Sequence, residues 1–263
     1  MTVDLSVVLP CYRAAELAAR SVAELRHALG SGRMTWEIIL VDDGGGDFPA
    51  EAWVDAPDVS LVRLPRNRGK GAAVRAGMEA ATGCVRIYTD VDLPYGTALI
   101  PVIASYLLDH RYHVVIGDRS LPASSYLQRL SPARRLLSRM GTEMIGRLVT
   151  GGFFDTQCGL KAVRGDVAAA LFPLLRVDRF IFDVELVYVA LKHRLDVKRV
   201  PVQLKRNETS SVRPVRDSVR ALLDLARIKW YQVRGRYGSL ALDAIAQDDF
   251  ARIDEHARSA RRL

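Results

Sequence analysis

Carboxylates and glycines crowd the ends of several apolar segments in this sequence. In RIYTDVDLPYG, residues 86–96, Asp90 and Asp92 stand one residue apart directly after a β-branched run. On an extended chain both point to the same side, where a cation relieves their repulsion. Hard, oxygen-seeking Mg2+ or Mn2+ suits such a pair better than zinc and leaves positions open for a diphosphate. Taken alone, the pair equally describes two solvated acids in a turn ahead of Pro94.

A second strand end carries VDDGGGD, with Asp42 and Asp43 followed by Gly44, Gly45 and Gly46. Glycines let a ligand approach the backbone, and a carboxylate there can accept hydrogen bonds from a nucleobase or ribose. A flexible loop with a helix-capping acid fits the same residues. The G-x-G-x-x-G dinucleotide fingerprint is missing. RNRGKGAAVRAG, residues 66–77, sets Arg66, Arg68 and Lys70 beside glycines at a helix start, where free N–H groups and the dipole favour anions. Its spacing is not that of a P-loop ATPase.

Further along, Arg119 in GDRS ends a strand, and Arg134 and Ser138 lie four apart on one face of a predicted helix. The planar donors of Arg match phosphate oxygens, although a solvated arginine-rich helix has the same composition. Asp155 in DTQCGLK can act as a general base for a hydroxyl acceptor; for a phosphate acceptor, already anionic, it would orient the reacting groups instead. Asp183 and Glu185 open a helix, where its dipole already favours them. RNETSSVR, residues 206–213, reads as a polar loop bearing Arg206, Ser210 and Arg213. Along the sequence the histidines show no close pairing with acids or cysteines and are read as surface or core residues, and the serines lack a nucleophile elbow.

The elements that must position these groups alternate β-rich runs with helical periodicity, as in a mainly parallel sheet with crossover helices. Strands are expected over 5–10, 36–43, about 60–64, 84–90 and 113–119, and helices from about Ala14 to Leu29, from Gly69, and from about Thr97. The second half reads as a helix over 133–150, a strand near 159–163, a helix over 182–192, and the strand DVKRVPVQL, which Pro201 marks as an edge or bulge. In open α/β sheets ligands bind beyond the carboxyl ends of the strands, so these acids and glycines converge on one crevice.

The 263 residues suffice for one large α/β domain and a tail. We expect the domain over 1–213 and a basic amphipathic helix with a polar tail over 214–263. No segment approaches the roughly 20 apolar residues of a membrane span, and the N-terminus lacks a signal pattern, which implies a soluble or peripheral cytoplasmic protein. Cys11, Cys84 and Cys158 are scattered, as in a reducing compartment. Lys and Arg outnumber Asp and Glu by 38 to 30. The excess between Arg119 and Arg236 suits phosphates or anionic lipid, at on the order of 1 kcal/mol for each basic side chain near a membrane surface. Leu137, Met140, Met144 and Leu148 form a stripe that suits either a membrane interface or a core. A nucleic-acid partner is disfavoured, because strand-end carboxylates would repel a phosphate backbone.

In order and spacing, PCY, VDDGGGD, NRGKG, TDVD, GDR and DTQCGLK together resemble the family 2 glycosyltransferases of GT-A fold over about residues 5–213. DTQCGLK followed by RFIFDVELVYVA resembles the polyprenyl-phosphate members, dolichyl-phosphate glucosyltransferase and dolichyl-phosphate mannose synthase. The resemblance implies a Rossmann-like sheet flanked by helices and inverting, metal-dependent transfer of a hexose from a nucleotide sugar to a polyprenyl phosphate at a membrane surface. It implies that Pro10, Tyr12 and Asp43 line a nucleoside pocket supported by Asp42, with Lys70 near ribose and diphosphate. Asp90 and Asp92 would be the DxD motif, Asp92 the closer ligand of Mg2+ or Mn2+. Arg119, Arg134 and Ser138 would grip the acceptor phosphate, and the loop of Arg206, Ser210 and Arg213 would close the donor site. Glu185 is a further site residue by the same resemblance. Arg13 and Ala14 replace the family's Asn-Glu, and Pro94 replaces a polar residue, which leaves UDP-glucose and GDP-mannose both open; DTQCGLK favours UDP-glucose. A hydroxyl acceptor served by Asp155, and a non-catalytic sugar-nucleotide-binding regulator, are the competing readings.

Overall fold

Alternation along the strands assigns each apolar side chain to one of two layers. Leu5, Val7, Leu9, Ile38, Leu40 and Ile87 share one core, while Val8, Ile39, Val41 and Tyr88 fall in the other. Period-2 geometry produces this directly, and a strand covered on both faces reads as a continuous apolar run. A computed structural model describes residues 3–49, 51–53, 55–109, 112–126, 155–179, 181–204 and 214–249.

Strands β1 (Leu5–Cys11), β2 (Trp36–Asp42), β3 (Val59–Arg63), β4 (Val85–Tyr88) and β5 (Val114–Asp118) precede the short β6 (Ser125–Tyr126), and β7 (Lys161–Arg164), β8 (Val197–Pro201) and β9 (Gln203–Leu204) follow. Seven of them form one sheet in the order β3-β2-β1-β4-β7-β5-β8, while β6 and β9 pair separately. The pairs β1–β2, β1–β4, β2–β3 and β5–β8 are parallel; β7 runs antiparallel to both β4 and β5. The start of β7 therefore lies at the sheet edge where β1, β2, β4 and β5 end. Pro201 closes the edge strand β8, as the missing N–H of proline requires.

Helices α1 (Ala15–Gly30) and α3 (Leu99–Leu108) cover the first core, with Val22, Leu25 and Leu29 of α1 buried at helical spacing. On the opposite face lie α2 (Lys70–Ala80), α4 (Gly165–Leu171), α5 (Phe182–Lys192) and α6 (Pro214–Val233). A Cβ on Gly77 would collide with Val8, so glycine is what lets α2 lie close on β1. From α6, Leu225 and Ile228 enter the core together with Leu242 and Ala246 of a helical stretch over residues 240–249. Among the described residues no helix is long and apolar enough to cross a membrane. The expected helix over 133–150, with Arg134 and Ser138, and the loop with Arg206, Ser210 and Arg213 lie outside the described residues.

Candidate active site at the strand ends

Pro10 is half-buried near the end of β1, and the exposed Tyr12 follows, with the Arg13 guanidinium 5.4 Å from its ring centroid. The ends of β1 and β2 are stitched where the Asp43 N–H donates to Cys11 O at 2.8 Å. Both acids of VDDGGGD are buried and shape their loops. Asp42 accepts from the Gly45 N–H at 2.7 Å, and Asp43 from the Arg68 and Gly69 N–H groups at 2.7 and 2.8 Å. Burial pushes the Asp43 carboxyl up, and those two backbone donors offset it only in part. A carboxylate offers about four lone-pair sites, so Asp43 retains acceptor capacity beyond the two it uses here.

Strand β4 stops at Tyr88, two residues short of Asp90. The expected extended geometry of Asp90 and Asp92 therefore does not hold. The Leu93 N–H donates to Asp90 O at 2.9 Å, and Leu93 takes φ 46°, so the two carboxylates sit in a turn. What positions Asp90 is packing and charge rather than strand alternation. Lys70, the first residue of α2, forms an ion pair with it, and a Cβ on Gly159 would collide with its Oδ2. Burial works against the Lys70 charge, but the carboxylates of Asp90 and Asp183 outweigh it and hold the ammonium above its usual range. Asp92 is half-buried in the same turn.

Beneath this turn lies a polar anchor whose pairing neither motif nor spacing pointed to. The Tyr88 hydroxyl donates to Asp183 Oδ1 at 2.6 Å, Lys161 pairs with the same oxygen, and the Lys161 ammonium also donates to Cys158 O at 2.7 Å. Lys161 is 0% exposed. A lysine inside an apolar strand signals a buried partner, since an unpaired charge there is prohibitive, but the signal does not say which acid. Glu185, expected at the site, is instead enclosed. It accepts from the Arg176 N–H at 2.9 Å, the Val177 N–H at 2.8 Å and the Tyr237 hydroxyl at 2.6 Å, a structural clamp between the loop before α5 and the chain after α6.

On the far side of β4, Arg119 grips Asp155 through Nε at 2.9 Å, Nη2 at 2.7 Å and its own backbone N–H at 2.7 Å. Burial raises the Asp155 carboxyl, but the hydrogen bonds and charge of Arg119 outweigh it and bring it below the ordinary value. Such a carboxylate is a weak base. Two of the five guanidinium N–H donors of Arg119 meet Asp155.

Asp90 and Asp92 lie two positions apart in one turn, with Asp90 ion-paired to Lys70. Carboxylate oxygens are the ligand type Mg2+ or Mn2+ takes, and among the described residues no group of three or more His, Cys, Asp or Glu could hold a metal ion.

The family model described as glycosyl transferase family 2 matches residues 6–172. A dolichyl-phosphate beta-glucosyltransferase of Trichomonas vaginalis is 31% identical over 238 residues, which cover 85% of this chain and 70% of that protein. The enzyme of the same name from Saccharomyces cerevisiae is 25% identical over 257 residues, 89% of this chain and 76% of that protein. Among solved structures, glucosyl-3-phosphoglycerate synthase from Mycobacterium tuberculosis, in complex with Mn2+, UDP and phosphoglyceric acid, superposes with a TM-score of 0.62 at 16% identity. The match covers 90% of this chain and 79% of that one. Mannosyl-3-phosphoglycerate synthase from Rubrobacter xylanophilus gives 0.58 at 14% identity, over 90% and 77%.

Proposed function

The chain belongs to glycosyl transferase family 2 and is a glycosyltransferase, and from that premise we propose that it transfers glucose from UDP-glucose to a polyprenyl phosphate. The observation that carries the lipid-phosphate acceptor is the state of Asp155. Held at both oxygens by Arg119 and with its acidity increased, it is poorly suited to take a proton from a hydroxyl. A phosphate monoester, whose second pKa is near 6, carries an anionic oxygen at neutral pH and needs no base. Relatives named dolichyl-phosphate beta-glucosyltransferase support both the sugar and the acceptor class.

In this reading Pro10, Tyr12 and Asp43 seat the nucleoside, Asp42 holds the glycine loop in shape, and Lys70 lies beside the diphosphate. Asp90 and Asp92 hold Mg2+ or Mn2+, which would supply positive charge against the departing diphosphate. Structures of the mycobacterial synthase with UDP and either Mn2+ or Mg2+ support that choice of metals. Arg119, Arg134 and Ser138 orient the acceptor phosphate so that its oxygen attacks the anomeric carbon opposite the leaving group, inverting the centre, while Arg206 closes over the donor. Asp155 acts by fixing Arg119. Transfer is assigned to residues 1–213; the basic segment 214–263, whose Leu225, Ile228, Leu242 and Ala246 pack into the same core, turns its exposed Leu223 and Trp230 towards the cytoplasmic membrane face.

Radiolabelled UDP-glucose or GDP-mannose, incubated with polyprenyl phosphate and Mn2+, tests the reading. Label should pass into the organic phase from UDP-glucose at about ten times the rate from GDP-mannose or more. A donor consumed with all label left in water would overturn the lipid acceptor.

A further inference from the structure

Behind the 66–69 loop, residues 65–68, the 176–179 loop and α6 enclose a cleft of about 890 Å³. Arg66, Arg68, Arg176, Arg179 and Arg227 line it against two acids, Asp178 and Asp224. Those acids are already committed: Asp178 to Arg68 at 3.1 Å and also to Arg75, Asp224 to Arg227 at 3.1 Å. Among the described residues Arg66, Arg176 and Arg179 form no ion pair. Arg66 and Arg176 line the cleft with no ion pair among those residues, and Arg179 with no partner there beyond the longer-range pull of the Asp43 carboxylate; these like charges repel one another, and each guanidinium brings several N–H donors in a planar fork. An anion with several oxygens arranged around one centre satisfies both conditions, and phosphate matches the fork best.

The cleft backs onto the loop of Asp43 and Gly44 but is not lined by the donor-site residues: none of Pro10, Tyr12, Asp42, Asp43, Lys70 or Asp90 borders it. On its α6 wall, Leu223, Arg227 and Trp230 follow one another at helical spacing, so Arg227 shares a face with two exposed apolar side chains. A phosphate that arrives attached to an apolar body would therefore meet an apolar surface beside the arginines.

We propose that this cleft is a binding site for a phosphate-bearing anion, distinct from the groups that act on donor and acceptor. The sources of that chemistry are the headgroup of an anionic phospholipid and free phosphate. The inference uses none of the residues assigned to glucosyl transfer and stands whether or not the chain uses UDP-glucose.

The full chain carrying Arg66→Gln with Arg176→Gln should be compared with one carrying Arg20→Gln with Arg33→Gln, which loses equal charge from exposed positions outside the cleft. In metal-free, low-salt buffer, titration with inorganic phosphate should show the cleft pair weakened about tenfold and the control pair about twofold or less. In a second arm, sedimentation is measured with phosphatidylcholine vesicles with and without phosphatidylglycerol. Selective loss of phosphatidylglycerol-dependent sedimentation in the cleft pair assigns a lipid headgroup. Loss of phosphate binding with vesicle binding equal to the control assigns free phosphate. If the cleft pair matches the control pair in both arms, or the wild-type chain binds neither probe, the proposal is overturned.

Discussion

Lys161 places its ammonium where no water reaches it, and its charge is sustainable only because Asp183 and Cys158 O receive it. Removing one member of a buried pair leaves the other uncompensated, at about 3–5 kcal/mol, whereas replacing both by apolar groups is often neutral. Lys161→Met should therefore lower unfolding stability by about 3–5 kcal/mol in urea titration, and adding Asp183→Leu should restore much of it. Asp155 makes a prediction of opposite character. Its folded carboxyl is more acidic than the unfolded one, near 3.9, so between the two values the unfolded chain binds more protons and stability rises with pH. The Asp155–Arg119 contribution is present above that unfolded value and is lost as pH falls through the folded one. Melting curves of wild type and Asp155→Asn should differ at neutral pH and converge in acid; a constant gap would contradict the pairing. Of these residues, Asp155 and Asp183 were visible in the sequence as acids near a site, but their partners were not. Each partner is more than 20 positions away, and no local pattern encodes that contact.

At the scale of elements, the sheet was largely legible because burial on two faces writes itself as apolar runs, and α5 falls at residues 182–192 as its periodicity predicts. Direction was less so. The residues of β7 read equally well in either sense, and only the sheet order reveals that it runs against β4 and β5. The early stop of β4 was also hidden, since YTDVD continues a plausible alternation while the Leu93 turn overrides it. That reversal of β7 carries Gly159 into contact with Asp90, where there is no room for a methyl group. Gly159→Ala must displace the Asp90 carboxylate or the chain beneath it, and an overpacked site of this kind costs about 1–3 kcal/mol. The expected result is a fall in kcat of about tenfold or more with the fold retained, since Asp90 leaves its alignment with Lys70; unchanged kcat would show that its position does not matter.

For the whole molecule, ligand binding to the native state reports whether the strand-end residues act as the one binding unit proposed for them. UDP with Mn2+ at a hundred times its dissociation constant should add about 2.7 kcal/mol, a rise in Tm of about 5–10 °C for a chain of this size. In Asp92→Ala the part of that rise requiring Mn2+ should vanish, and turnover should drop by about 10²–10³. A metal-dependent rise of full size in the variant would remove Asp92 from the metal's ligands. The anchor at Tyr88 also bears on how such a molecule can change length. Tyr88 must turn to one face to reach Asp183, while Asp90, two positions on, must meet Lys70. A single inserted residue between Val85 and Tyr88 would exchange Ile87 and Tyr88 between the two cores and release both contacts at once. Growth and loss of residues should thus fall in connections clear of the site, such as 31–35 between α1 and β2, and the stretch from Val85 to Asp90 acts as a fixed ruler between the sheet and the site.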